Sequence, residues 1–302
     1  MTPKIIAVVG PTASGKSELA LYLAEQLGGE IICADSMQVY QHLDIGTAKP
    51  TASEQALVPH HQLNLVKPDG YYSAGRYEKE TRGIIERLHQ ENKPIILVGG
   101  TGLYFRCLIF GICEVPDIPA EIKSQITEWH QEGLSICYQK LQQYDPESAS
   151  KLSSNDTARI LRALEVYLHT GKSIQHYQQN HGFKYKQYSV FSVGYWHKRV
   201  DLYQLINQRT HAMLQAGLIG EVQALLDKYP ADLKSLQAIG YRQVIDFLQN
   251  RSTESEMVAA IQQKTRNYAK RQLTWFRKDP DIQWFPYGKQ KEILLKVKDF
   301  LV

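Results

Sequence analysis

The chain opens on an unbroken apolar run, Ile5-Ile6-Ala7-Val8-Val9, followed by a polar, glycine-punctuated stretch. Then come Leu19, Ala20, Leu23 and Leu27 at helical spacing, stopped by Gly28-Gly29. A short all-apolar strand and an amphipathic helix of this kind are the unit of a parallel sheet covered by helices. The alternation continues: a strand over 30–34, a polar connection from Gln41 to Tyr72, and a helix from about Ser73 to Glu91 with Tyr77, Thr81, Ile84, Ile85 and Leu88 inward. A strand over 95–98 ends in Gly99-Gly100-Thr101-Gly102. From 116 to 188 the strands vanish into Gln- and Tyr-rich helical sequence. One helix there is clear, capped by Asn155 or Ser154, lined by Ile160, Leu161, Leu164, Tyr167 and Leu168, and ended by Gly171. A strand returns at 189–194, with helices from near Arg199, Gly220 and Gly240 and a capping box at Thr253-Glu254-Ser255-Glu256. A strand at 282–285 and an amphipathic helix close the pattern. The expected architecture is α/β, a phosphate-loop-type parallel sheet flanked by helices (1–115 with 189–302), carrying an all-helical insertion at 116–188.

The polar stretch after the first strand is Gly10-Pro11-Thr12-Ala13-Ser14-Gly15-Lys16-Ser17. It fits G-x-x-x-x-G-K-[ST], in which the glycines let backbone N–H groups turn on a phosphate. The lysine adds charge, the serine hydroxyl can ligate Mg²⁺, and the following helix aims its positive end at the anion. Such loops commonly hold ATP or GTP. Hydrolases of that kind place an acid at the end of a later buried strand, yet here the strand over 95–98 ends in a second glycine turn. No Asn-Lys-x-Asp guanine motif follows either. The loop therefore predicts a bound di- or triphosphate without predicting its hydrolysis.

Composition changes the picture little. With 302 residues, 43% hydrophobic and 22% charged, the chain can bury a full core, and a formal charge of +4 leaves any polyanion to a local patch. Cys33, Cys107, Cys113 and Cys137 have no metal-ligand spacing and predict buried thiols in a reducing compartment. No apolar run is long enough for a membrane span and no leader precedes the first strand, so the expected compartment is the cytoplasm.

In open α/β sheets ligands bind at the carboxyl ends of the strands. Asp35-Ser36-Met37-Gln38-Val39-Tyr40 puts a carboxylate there, though the same residues could serve only as a turn. Lys16, Ser17 and Thr101 would surround one phosphate if the two glycine turns converge. Residues 264–278 carry six positive charges, three aromatic rings and no acid. Ile261, Tyr268 and Trp275 fall on every seventh residue and are expected to face the core, leaving Arg266, Lys270 and Arg277 for phosphodiesters. Arg159 and Arg162 form a second basic pair, and two such patches suit a clamp on a folded RNA. His60-His61 lacks further ligands for a metal.

On these residues the chain resembles the tRNA dimethylallyltransferases (tRNA isopentenyltransferases). The likeness extends through Asp44-Ile45-Gly46-Thr47-Ala48-Lys49-Pro50, Pro59-His60-His61, Gly99–Tyr104, Arg162-Ala163-Leu164-Glu165, Gly217-Leu218 with Glu221-Val222, Gly240-Tyr241-Arg242-Gln243 and Lys270-Arg271-Gln272 with Thr274-Trp275. The resemblance implies that the loop holds the diphosphate of dimethylallyl diphosphate and that the prenyl group passes to N6 of the adenosine just 3′ of the anticodon. It implies Asp35 as base, with Thr101 and Arg209 catalytic and Mg²⁺ carried on the diphosphate beside Ser17. The implied tRNA contacts are Asp35, Ser36, Met37, Gln38, Thr101 and Lys123, where the family commonly carries arginine. They continue through Arg159-Ile160-Leu161-Arg162-Ala163, Gln237-Ala238-Ile239-Gly240-Tyr241-Arg242 and Lys270-Arg271-Gln272-Leu273-Thr274-Trp275-Phe276-Arg277. The partner implied is the anticodon stem-loop, met by a monomer. Two neighbouring chemistries share these features: a phosphate-loop small-molecule kinase, and prenyl transfer to free adenine nucleotides.

Overall fold

The computed structural model describes residues 2–183 and 185–302; Met1 and Lys184, inside the ranges read above, lie outside them. The chain divides into two compact units, Met1–Ile109 with Gln187–Val302, and Phe110–Lys186. The change of unit thus falls at 109/110 and 186/187, against 115/116 and 188/189 in the sequence reading.

The larger unit begins β1 (Lys4–Val9), α1 (Lys16–Leu27), β2 (Glu30–Ala34), α2 (Ala52–Leu57), β3 (His60–His61), α3 (Ala74–Gln90), β4 (Ile95–Gly99) and α4 (Gly102–Phe110). The smaller unit is α5 (Ala120–Glu132), α6 (Leu134–Tyr144), α7 (Pro146–Lys151), α8 (Thr157–Thr170) and α9 (Ile174–His181). The larger unit resumes with β5 (Ser189–Trp196), α10 (Arg199–Gln215), α11 (Leu218–Leu226), α12 (Tyr241–Leu248), α13 (Glu254–Phe276), β6 (Gln283–Pro286) and α14 (Gln290–Leu301). One sheet of order β3-β2-β4-β1-β5-β6 runs parallel throughout.

Alternate strand residues serve opposite layers, which is why the strands read as continuous apolar runs. Ile6, Val8, Ile96, Val98 and Val193 pack with Leu19 and Leu23 of α1 and Ile293 and Val297 of α14. Ile5, Ala7, Ile32 and Leu97 alternate with them and are also fully buried, as are Tyr77, Ile85 and Leu88 of α3. The parallel register sets Val9, Gly99 and Ala34 side by side. The residues that follow, Gly10, Gly100 and Asp35, therefore share one edge of the sheet.

Several details depart from the sequence reading. The connection from Gln41 to Tyr72 contains α2 and β3, and His60-His61 pairs with Ile31 and Ile32 as the sheet's edge strand. Asp156, not Asn155 or Ser154, caps α8, accepting the Arg159 N–H at 3.4 Å. Ile84 and Tyr167 are half-buried rather than core. Along α13 the buried positions are Met257, Ile261, Ala269, Gln272 and Phe276, whereas Trp275 is 41% exposed. Cys33, Cys107 and Cys137 are buried, but Cys113 is only half-buried, and none is in a disulfide. No helix among the described residues is long and apolar enough to cross a membrane.

The smaller unit has its own core, in which Ile126, Cys137, Leu141, Ile160, Ala163 and Leu164 are buried.

Candidate active site

The phosphate loop takes the backbone that its sequence allows. Gly10, Ala13 and Gly15 all have positive φ, and a Cβ on Gly15 would come within 2.9 Å of the Tyr287 ring. Helix α1 begins at Lys16, so its first-turn N–H groups have no intrahelical acceptor and face the loop's concavity. Lys16 Nζ donates to the Pro11 carbonyl at 3.2 Å. Burial first, and nearby Arg209 after it, bring its pKa down to about 8 against the opposing pull of Asp35. Arg209, from α10, is likewise lowered by burial and supported by Asp35, and its guanidinium donates to the Thr47 carbonyl at 3.4 Å. Two crowded cations thus share one carboxylate in a cavity of about 360 Å³, which Ser17 also lines. That balance calls for an anion.

Asp35 follows β2 directly. Its Oδ1 accepts the Met37 N–H at 2.9 Å, which closes the turn, and the same carboxylate lies near enough to support the charges of Lys16 and Arg209. Thr101 lies in the second glycine turn, immediately before α4. Its Oγ1 accepts the Ser36 N–H at 3.0 Å, and its own N–H donates to the Ala34 carbonyl at 3.1 Å. The hydroxyl oxygen thus fastens the turn bearing Asp35.

The segment Asp44–Pro50 is strapped from a distance. Glu221 on α11 accepts the N–H groups of Asp44, Ile45 and Gly46 at 3.1, 2.7 and 3.1 Å, and the Tyr241 hydroxyl at 2.6 Å. Buried Lys49 donates to the Tyr40 carbonyl, Asp44 and Asn64 at 2.8, 2.6 and 2.6 Å. The loop so held offers the Thr47 and Ala48 carbonyls to Gln38, besides Thr47 to Arg209. A carboxylate receiving four donors is a strong local organiser. The role of Glu221 is not legible from its neighbours in sequence, because the three N–H groups it accepts lie 175 to 177 residues away.

The expected RNA contacts separate by exposure. Met37, Gln38, Gln237, Ala238, Ile239 and Gly240 line the cavity. Arg242, Lys270, Arg271, Thr274 and Arg277 are exposed. In the smaller unit Lys123 and Arg159 are exposed and Arg162 and Leu161 half-buried, with Arg159 paired to Asp156 and Arg162 to Glu165. The side chains of Ile160 and Ala163 lie in that unit's core, so they correct the expectation of direct contact. In the larger unit, Tyr241, Gln272 and Phe276 are buried as well, and Leu273 packs toward Leu202 and Ile206. Arg266 is occupied by Asn207 and Gln263, both at 3.0 Å.

Among the described residues no group of three His, Cys, Asp or Glu side chains could hold a metal. The donors present, the Ser17 hydroxyl and Asp35, fit only an ion that brings its own phosphate oxygens and waters, which is the habit of magnesium.

Fold and site together define a phosphate-loop α/β protein with two buried cations beside a carboxylate. Residues 38–279 match the family model described as IPP transferase. The chain belongs to that family. A tRNA dimethylallyltransferase of Syntrophus aciditrophicus is 44% identical over 99% of this chain and 97% of its own. One from Geobacter sulfurreducens is 45% identical over 94% and 92%. Among solved structures, the tRNA isopentenylpyrophosphate transferase of Bacillus halodurans superposes with a TM-score of 0.73 at 35% identity, over 99% of this chain and 97% of that one. A eukaryotic dimethylallyltransferase acting on tRNA gives 0.83 at 27% identity, over 99% and 78%.

Proposed function

We propose that this protein transfers the dimethylallyl group of dimethylallyl diphosphate to N6 of the adenosine just 3′ of a tRNA anticodon. A bond forms between the allylic carbon and N6 while the carbon–oxygen bond breaks. The diphosphate leaves with the electron pair, and Asp35 takes the N6 proton. The observation that carries this reading is the shared sheet edge, where Asp35 faces Lys16 and Arg209. An exocyclic adenine amine has its lone pair delocalised into the ring, so a placed base is needed. The leaving diphosphate gains charge as it departs, and the two cations stabilise that charge. Relatives bearing the name tRNA dimethylallyltransferase support the substrate pair. A magnesium ion, held by Ser17 and the diphosphate, would further neutralise the leaving group.

Adenine in a stacked anticodon loop must be extruded to reach this cavity, at a cost of a few kcal/mol. Exposed Lys270, Arg271 and Arg277 on the larger unit, and exposed Lys123 and Arg159 with half-buried Arg162 on the smaller, supply phosphate contacts that offset it. The groups named all come from one chain, and the acting species is read as a monomer. Replacing Lys270 and Arg277 together by alanine should weaken stem-loop binding at least tenfold. It should also flatten the log–log salt dependence by roughly 1.5, at about 0.7–0.9 per phosphate contact, with turnover at saturating RNA preserved. Filter binding across a salt series measures both.

The reading is tested by incubating the protein with an unmodified anticodon stem-loop and labelled dimethylallyl diphosphate, without ATP. Label should enter the RNA. If it does not, or if AMP is labelled in preference, the assignment fails.

A further inference from the structure

Helix α13 was read as an RNA-contacting helix, and part of its surface suits that purpose. Another face does something different. Tyr268, Gln272 and Trp275 follow at the i, i+4 and i+7 spacing of one helical stripe. All three meet the second glycine turn. The Tyr268 phenol lies beside Thr101 and Gln272, and burial and Asp35 push its pKa up to about 12. The Trp275 indole covers Gly102 so closely that a Cβ there would lie 2.2 Å from the ring. Gln272, 6% exposed, donates through Nε2 to the Gly100 carbonyl at 2.9 Å. A Cβ on Gly100 would fall 2.1 Å from that nitrogen, so glycine at 100 is what admits the amide.

Gln272 alone of the three reaches further. Its Oε1 accepts the Thr12 N–H of the phosphate loop at 2.9 Å. One buried amide therefore joins the first glycine turn to the second. The second turn is joined in turn to the base: Thr101 Oγ1 holds the Ser36 N–H, and Ser36 follows Asp35. The path from phosphate loop to carboxylate runs Thr12, Gln272, Gly100-Thr101, Ser36, Asp35.

We propose that Gln272 is a positioning residue for the transfer reaction, which fixes the phosphate loop at a set distance from the turn carrying Asp35. It sits at the wall of the cavity, and the role assigned to it is to determine how far the allylic carbon lies from the base. This rests on the transferase reading for its consequence, whereas the bonds themselves do not. A displacement on the order of 1 Å at a reacting centre can cost about 10²-fold in rate, and this is the scale expected here.

The test compares Gln272→Glu and Gln272→Met with the unaltered protein. Ionised, the glutamate can accept from Thr12 but has no hydrogen for the Gly100 carbonyl; protonated, it is isosteric with glutamine and donates. The ratio of kcat for Gln272→Glu to that of the wild type should therefore climb as pH falls, from about 10²-fold below wild type at pH 8 toward recovery. Gln272→Met can make neither bond and should stay low at every pH. Stem-loop affinity should remain within threefold in both. A purely structural role would lower Tm without this pH-dependent recovery. Because the Thr12 peptide loses its anchor, inorganic pyrophosphate should bind Gln272→Met at least threefold more weakly, and calorimetry reads this whatever the acceptor proves to be. The proposal is overturned if folded Gln272→Met keeps both kcat and pyrophosphate affinity within twofold. A pH-independent ratio for Gln272→Glu overturns it, as does a tenfold loss of RNA affinity with unchanged turnover. Wild-type activity judges the transferase reading, and the ratio with pyrophosphate affinity judges Gln272.

Discussion

Replacing Asp35 by asparagine should lower kcat by about 10²–10⁴-fold, the range that a well-placed general base contributes, while stem-loop affinity stays within threefold. Asparagine preserves the shape and still offers Oδ1 to the Met37 N–H, so the turn survives. What is lost is the acceptor for the N6 proton. The substitution has a second consequence that separates base loss from a damaged cradle. Asp35 is the carboxylate whose field supports both Lys16 and Arg209. Neutralising it leaves their positive charge unbalanced, so pyrophosphate should bind the variant as tightly as the wild type or more tightly. Single-turnover rates with prebound donor, together with pyrophosphate titration, check the pair of outcomes. A normal rate would remove Asp35 from the role of base. A tenfold loss of pyrophosphate affinity would show that it acts through the loop instead.

The parts of this site that could be read from sequence are those built by neighbours in the chain. The phosphate loop, the strand before it and the helix after it lie within 27 residues, and Asp35 was placed by the end of the next strand. The helical insertion announced itself by the disappearance of strand patterning. What escaped depends on partners far away. Gln272 bonds Thr12 across 260 positions and Gly100 across 172, and Glu221 reaches Asp44 across 177. Such residues read as ordinary polar positions on amphipathic helices until the fold brings their partners in. Thr101 was assigned to the right edge, but its bond to the Ser36 N–H was not legible, because a glycine turn specifies freedom of the backbone and not its direction. Trp275 was misplaced for a different reason. A seven-residue repeat on a straight α-helix drifts by about 20° per heptad, so by the third member the stripe starting at fully buried Ile261 has turned to the rim. There the indole covers Gly102 and keeps its outer side exposed.

Donor binding should weaken as pH rises through about 8, and the cause is Lys16. Burial, with Arg209 nearby, has brought its pKa down to that value in the unliganded protein. Below pH 8 the ammonium is present and meets the diphosphate directly. Above it the free protein holds a neutral amine and must take up a proton in order to bind, so affinity should fall by up to tenfold per pH unit. A terminal phosphate with a second pKa near 6 is already fully ionised over this range, leaving the protein as the titrating partner. The sign for folding is opposite. The unfolded lysine, at 10.5, binds more protons between about 8 and 10.5 than the folded one. Unliganded stability therefore gains from this group as pH rises across that window, and the cost of its burial is complete below 8. Lys16→Met should remove both effects at once: kcat/KM for the donor falls about 10²–10³-fold, the scale of losing one preorganised charge contact at a developing anion, and its alkaline limb flattens. Calorimetric titration with dimethylallyl diphosphate, whose terminal phosphate is ionised throughout, from pH 7.5 to 9.5, alongside thermal unfolding of the unliganded protein over the same range, follows the two slopes. Affinity independent of pH in the wild type would mean that Lys16 is not the cation meeting the diphosphate, and the charge would then have to come from Arg209 and the first turn of α1.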